Sequence, residues 1–81
     1  MKSSLIEIVA KTITKLRKTT TISQEELAYR SGLDRTYISG IERGVRNITL
    51  ESLEKVVSGL GIDMETFFME VSNELRLSGK K

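Results

Sequence analysis

Apolar residues recur at helical spacing in five separate stretches of the chain, and a capping residue precedes each stretch. In the first stretch, Ser4 precedes an apolar stripe that ends in three threonines, residues 19–21. Because β-branched residues are poor helix formers, the first helix is expected to end there. The stripe consists of Leu5, Val9, Ile13 and Leu16.

The second stretch opens with a capping pattern. Ser23 and Glu26 have the spacing of a capping box, in which the serine oxygen accepts the amide hydrogen three residues on and the glutamate reaches back. Ile22 is placed to pack against Leu27 as a hydrophobic staple. The helix is predicted to run to about residue 31 and stop at Gly32, which adopts the left-handed conformation readily.

Three further N-cap candidates, Asp34, Thr49 and Asp63, place the remaining helices. The third helix is predicted to run to about Arg43 and stop at Gly44. The fourth should bury Leu50, Leu53, Val56, Val57 and Leu60, and the fifth carries Met64, Phe67, Phe68, Val71 and Leu75. The last four residues, Ser78 to Lys81, are expected to fray. The pattern predicts an all-α, compact five-helix fold in one domain, residues 1–81.

Composition then narrows the function classes. The 81 residues contain no cysteine and no histidine, which removes disulfides, thiolate metal sites and the commonest general base. We find no Gly-rich phosphate loop or isolated carboxylate pair, so the sequence predicts no enzyme, no metal site and no cofactor. No apolar run approaches the ~20 residues of a membrane span, and the N-terminus lacks a signal-peptide core. The expected location is the cytoplasm.

Charge is distributed unevenly along the chain. Residues 1–48 carry nine basic and five acidic side chains, a net +4, whereas residues 49–81 carry four and six, a net −2. This asymmetry is typical of a protein with one end facing a polyanion, and ordinary scatter of surface charge produces it as well. Charge alone does not decide between the two.

The most informative segment runs from Gln24 to Arg43. It predicts two short helices joined by a tight turn at Gly32, the definition of a helix-turn-helix. Ala28 is small where the two helices would cross, and glycine avoids strain in the turn. The wedge that fixes the angle between the helices would be Leu27, Leu33, Ile38 and Ile41. These features in one register favour a DNA-binding helix-turn-helix over a generic helical hairpin.

With its two isoleucines turned to the core, the third helix would present its opposite face to base edges in the major groove. Arg35 suits bidentate pairing with guanine O6 and N7, and Thr36 suits a mixed edge or a thymine methyl. Tyr37 either joins this face or packs on the second helix. Gly40 either gives clearance for DNA or packs against a neighbouring helix. The candidate base contacts are Arg35, Thr36, Tyr37, Ser39 and Arg43.

Phosphate contacts are expected around this face. The candidates are Ser23, Gln24, Arg46 and Asn47. Gln24 lies in the first turn of the second helix, where amide dipoles favour an anion. Arg17 is expected to pair with Glu42 as a structural bridge. The first helix also carries three lysines, Lys11, Lys15 and Lys18. They either add a diffuse attraction to DNA or form an ordinary solvated face.

The segment from Leu16 to Leu60 resembles the Xre/Cro/C1-type helix-turn-helix transcription regulators: LRK, SQEELA, a glycine turn, YISGIERGVRN and a capped fourth helix. Within them, LDRTYISGIERGVRNIT is most similar to controller proteins of restriction–modification systems. The resemblance implies a lambda-repressor-like fold and a small homodimeric regulator that binds palindromic operators and times endonuclease expression. Two departures stand out. Thr21 stands where the family often has glycine, so the first turn is expected to take a different shape. Ile48 stands where the family often has proline, so the loop into the fourth helix is expected to be less rigidly set.

Dimerisation is the second functional prediction. Phe67 and Phe68 lie about 100° apart on the fifth helix, so one face of the monomer core is not expected to hide both. The predicted interface is Met64, Phe67, Phe68, Val71 and Leu75, roughly residues 64–77, covered by a second copy of the chain. The alternative is that this stripe buries itself between the first and fourth helices.

The expected partners are therefore a double-stranded inverted-repeat operator and a second copy, with RNA polymerase as a further candidate for a transcription regulator. A phage or plasmid Cro-like repressor shares this mechanism and differs in genomic context. An antitoxin would bind a protein partner as well as DNA. Antitoxins commonly carry an added disordered segment, whereas the predicted helices occupy nearly all of these 81 residues.

Overall fold

Five short polar side chains determine where the helices begin. In the computed structural model, which describes residues 4–79, the helices are α1 (Leu5–Thr19), α2 (Gln24–Ser31), α3 (Arg35–Glu42), α4 (Leu50–Leu60) and α5 (Met64–Ser78). Each predicted N-cap accepts a hydrogen bond from a backbone N–H of the first turn, and such a cap contributes about 1 kcal/mol. The capping residues are Ser4, Ser23, Asp34, Thr49 and Asp63. The predicted all-α, five-helix fold is confirmed.

Two details of the caps differ from the prediction. The complete capping box lies at Ser4 and Glu7, where each side chain bonds the other residue's backbone N–H. At Ser23 only half of the box forms, because the Glu26 carboxylate instead accepts from Arg30 Nε at 2.8 Å. An ion pair one turn along the helix therefore replaces the reciprocal bond.

The cap of α5 is tied to its ionisation state. Hydrogen bonds from the backbone and the side chain of Thr66 hold the pKa of Asp63 below its usual range. Because the pKa of Asp63 is lower in the folded protein than in the unfolded chain, the ionised cap stabilises the fold at pH values above the unfolded-state pKa. That contribution is lost as pH falls through the folded-state value.

The turn between α1 and α2 keeps the shape that a glycine would give it. Thr21 has φ 60°, and the amides of Thr21 and Ile22 donate to the carbonyls of Lys18 and Arg17 in a Schellman arrangement. The expectation of a different turn shape is therefore wrong. A β-branched residue in the left-handed region is strained, since its Cβ crowds the following carbonyl oxygen.

Thr21→Gly is expected to raise the free energy of unfolding by about 1 kcal/mol. The substitution removes roughly 1–2 kcal/mol of left-handed strain and loses part of that gain to the greater freedom of glycine in the unfolded chain. Urea denaturation followed by circular dichroism measures it. The matched control is Thr19→Gly, two residues earlier and within the right-handed helix, and it should lower the stability. A loss of stability at both positions would show that Thr21 is not strained.

The core lies where the five helices converge, and it holds most of the predicted apolar positions. Leu53, Val56, Val57 and Leu60 of α4 are all buried, but Leu50 is 80% exposed, so its predicted burial is wrong. Ile48 in the loop before α4 is half-buried and packs against the core in place of the family's proline. Helix α5 extends through Ser78, one residue into the predicted tail, and residues 80–81 lie outside the described range.

Two contacts hold the outer helices in place. Gly59 lets α4 approach α2 closely: a Cβ there would lie 2.8 Å from Ser31 Oγ and 3.2 Å from Leu27 Cδ1. Lys15 Nζ lies 3.2 Å from the buried Glu74 carboxylate and ties α1 to α5. Lys15 is therefore an ion-pair partner rather than a free surface lysine. No helix among residues 4–79 is long and apolar enough to cross a membrane.

Candidate nucleic-acid interface

Helices α2 and α3 form the predicted helix-turn-helix. Three residues, 32–34, separate them, and Gly32 has φ 70° at the start of the turn. Ala28 is buried where the helices cross, and Leu27, Ile38 and Ile41 fill the wedge between them with at most 2% of their surface exposed. Packing on both sides of a short turn fixes the angle at which α3 is presented.

A buried ion pair also fastens α3 to the helices behind it. Arg17 Nε and Nη2 donate to the two carboxylate oxygens of Glu42 at 2.7 and 3.0 Å, and the two side chains are only 12% and 5% exposed. Arg17 Nη1 donates to the Ile22 carbonyl at 2.9 Å, and Gln24 Nε2 donates to Glu42 at 2.9 Å. The predicted Arg17–Glu42 bridge is confirmed, and it joins α1, α2 and α3 into one unit.

The outward side of α3 carries the reading surface, which we define as Arg35, Thr36, Ser39 and Arg43. Arg35, Thr36 and Arg43 are exposed, and Ser39 is half-buried. The Thr36 amide donates to the Asp34 cap at 3.1 Å, and the residue as a whole is exposed. No ion pair among residues 4–79 engages Arg35 or Arg43.

Beside the reading surface, the loop after α3 folds back onto the helix. The Arg46 guanidinium lies 5.2 Å from the centre of the Tyr37 ring, within the range of a cation–π contact. A Cβ on Gly40 would lie 2.7 Å from Arg46 Cγ. Gly40 is thus buried beneath Arg46 and gives clearance to this side chain, so its predicted role toward DNA is wrong. Tyr37 is half-buried between the core and Arg46.

The predicted phosphate contacts are not all equally available. The Ser23 hydroxyl accepts from Glu26 N at 3.0 Å, and the Gln24 amide donates to Glu42. Arg46 is exposed and its guanidinium lies over the Tyr37 ring, so its contact with a phosphate stays a prediction. Asn47 is exposed. The N-terminus of α2 nevertheless keeps its oriented amides, which favour an anion whatever the side chains do.

A second surface lies where the N-terminal part of α1 and the loop before α4 meet α5. The groove has a volume of about 390 Å³. Its lining, which we call the apolar groove, is Leu5, Ile6, Val9, Asn47, Ile48, Leu50, Leu53, Phe68 and Val71. Phe68 is 53% exposed and Leu5 62% exposed, so apolar area remains uncovered in one copy of the chain.

This groove revises the predicted dimer surface. Phe67 is completely buried in the core of one chain, so its prediction as an interface residue is wrong. Val71 is nearly buried and forms part of the groove, while Phe68 and Leu75 remain exposed. Met64 is half-buried against the core. Sequence reasoning missed Leu5, Ile6 and Leu50, whose place at the edges of their helical stripes was the available signal.

Known proteins match both the sequence and this arrangement. A helix-turn-helix family profile matches residues 13–67. The control protein C.MunI of Mycoplasma sp is 49% identical over 61 residues, spanning 74% of this chain and 82% of that protein. The control protein C.BamHI of Bacillus amyloliquefaciens is 54% identical over 41 residues, 51% of each chain.

Solved structures give the same result. The wild-type restriction–modification controller protein C.Esp1396I is 45% identical, with a TM-score of 0.90 over 94% of this chain and 99% of that one. That protein has been solved bound to a 25 base pair operator site, and as a tetramer on its natural 35 base-pair operator. The family profile, the relatives and the likeness to a solved structure over nearly the full length all agree with the helix-turn-helix described above. The chain therefore belongs to the Xre/Cro/C1-type helix-turn-helix regulators and, among them, to the controller proteins of restriction–modification systems.

Proposed function

We propose that this chain binds a palindromic operator as a homodimer and regulates transcription as the controller of a restriction–modification system. The observation that carries the proposal is the reading surface. Its two arginines and its threonine are exposed, neither arginine is in an ion pair among residues 4–79, and the Arg17–Glu42 pair holds α3 in place. A binding function of this kind needs no catalytic group. We expect a protein with this function to act in the cytoplasm.

In this proposal the N-terminal turn of α3 enters the major groove. Arg35, the first residue of α3, pairs bidentately with a guanine, and Thr36 contacts the neighbouring base edge. Ser39 and Arg43 follow on the same face of the helix. The Tyr37 ring, which packs against the Arg46 guanidinium, adds a contact to the bases beside these two residues. Backbone amides at the start of α2, with the side chains of Ser23, Gln24, Arg46 and Asn47, contact the flanking phosphates.

The apolar groove supplies the dimer contact. A second copy would cover Phe68, Leu75, Leu5 and Leu50, whose exposed fractions run from 47% to 80% in one chain. In a two-fold dimer the same patch of each copy is buried at the interface. A two-fold dimer presents two α3 helices about 34 Å apart, one turn of DNA, which matches an inverted repeat. C.Esp1396I has been solved as a tetramer on its natural 35 base-pair operator, which supports operator binding by more than one copy of the chain.

Selection from a random duplex library, followed by sequencing, tests the proposal. A specific homodimer should enrich an inverted repeat with two equivalent half-sites. Enrichment of no sequence at moderate salt would overturn it. In vitro transcription from a promoter carrying the enriched site then measures whether bound protein activates or represses, and whether RNA polymerase is a partner.

Arg35→Ala is expected to relax base preference at one position of each half-site, at a cost of about 1–3 kcal/mol per half-site toward the preferred base. The cause is loss of the bidentate pair, while the rest of α3 stays in place. Fluorescence anisotropy with duplexes varied at each position measures it. Arg76→Ala, which removes an equal charge from the exposed side of α5, is the control. A uniform loss across all duplexes for Arg35→Ala would show a phosphate contact instead.

A further inference from the structure

An open groove of about 450 Å³ runs along the seam between α1 and the C-terminal end of α3. Lys11, Lys15 and Lys18 form one wall, since they recur at helical spacing on α1, and Arg43 and Gly44 form the other. We call this the basic groove. The proposed function assigns no role to its lysines.

Six charged side chains line the basic groove. Two of them are in ion pairs, and three of the other four are positive. Lys15 is engaged with Glu74, and the Glu42 carboxylate is taken up by Arg17 and Gln24. The Glu7 carboxylate accepts from the Ser4 amide in the cap of α1. Three cations are left: Lys11, Lys18 and Arg43 are exposed, and none is in an ion pair within the described residues.

The groove is continuous with the reading surface. Arg43 belongs to both, because it ends α3 and also lines the groove. Gly44 lies against α1, because a Cβ added to it would be within about 4 Å of Glu7 and Ala10. The two walls of the groove therefore pack directly against each other. Lys18, in the last turn of α1, lies near the start of α2 along the chain.

We propose that the basic groove binds the sugar–phosphate backbone of the operator, next to the bases read by α3. The proposal rests on the proposed DNA-binding function and deepens it. Lys11 and Lys18 are separated by about 10 Å along the helix axis, a span over which one DNA strand presents more than one phosphate. A DNA duplex is favoured over an acidic protein because the groove shares Arg43 with the reading surface, so a duplex seated on α3 already has its backbone beside it.

The salt dependence of operator binding tests this. Each phosphate contact contributes a slope of about −0.9 in log K against log salt. Lys11→Ala/Lys18→Ala removes two such contacts from each copy of the chain, so the slope for the homodimer on its operator should become less steep by roughly 4. The base preferences found by selection should not change. The matched control is Lys55→Ala/Arg76→Ala, which removes the same charge from exposed positions outside the groove.

The measurement is fluorescence anisotropy with the enriched duplex, extended by ten base pairs on each side, from about 50 to 200 mM salt. Thermal unfolding of each variant checks that the fold is intact. Slopes that change equally in the groove and control variants would overturn the proposal. An unchanged slope in the groove variant would overturn it too, and loss of binding to polyaspartate by that variant would then indicate that the groove binds an acidic protein. If the unmodified protein enriches no duplex at all, the proposed function itself fails, a result distinguishable from loss of this groove contact.

Discussion

Glu42→Ala is expected to lower the free energy of unfolding by about 3–5 kcal/mol, a large part of the stability of a small domain. The substitution leaves the Arg17 guanidinium buried without its carboxylate, and it also removes the acceptor of Gln24. Removing one partner of a buried pair leaves an uncompensated charge in a poorly solvated place. Urea denaturation monitored by circular dichroism gives the free energy.

The exposed pair of Glu26 and Arg30 is the matched control. Its side chains are 45% and 46% exposed, so Glu26→Ala should cost no more than about 0.5 kcal/mol. Replacing both buried partners, Arg17→Met with Glu42→Leu, should recover much of the loss, because it removes the unpaired charge. A cost below 1 kcal/mol for Glu42→Ala would show that the pair is solvated and does not brace α3.

Phe68→Asp is expected to convert a dimer into a monomer and to reduce affinity for the full inverted repeat by at least about 100-fold. The change places a carboxylate in the apolar groove, where burial against a second copy would strip its water. Without the dimer, the two half-sites lose the avidity of a linked pair, which is worth roughly 10²–10⁴ in affinity. Sedimentation velocity measures the mass, and anisotropy measures binding to full and single half-sites.

Met69→Asp is the control for this experiment. Met69 neighbours Phe68 and is 67% exposed, but it lies outside the groove, so the same new charge should leave the dimer intact. Binding to a single half-site should be the same for all three proteins. A Phe68→Asp protein that remains dimeric would place the interface on another surface.

The boundaries of the helices were predictable because they depend on neighbours in sequence. Ser4, Ser23 and Asp34 each bond an amide two or three residues away, and Gly32 turns the chain within its own helix end. Local hydrogen bonds and backbone preferences of this kind are present in any short segment. The Arg17–Glu42 bridge, between residues far apart in the chain, was predicted as well, and the structure adds Gln24 and the Ile22 carbonyl to it.

The sequence by itself determined the number and bounds of the helices, the helix-turn-helix, and the residues on the outward side of α3. Packing between distant segments decided the rest. Phe67 and Phe68 are adjacent in sequence, yet only the other helices determine which ring is enclosed and which is exposed. Gly40 lies beneath Arg46 because the loop folds back over α3, and Gly59 is needed because α4 approaches α2 closely. Burial depends on which surfaces meet, and that is a property of the assembled helices rather than of any one of them.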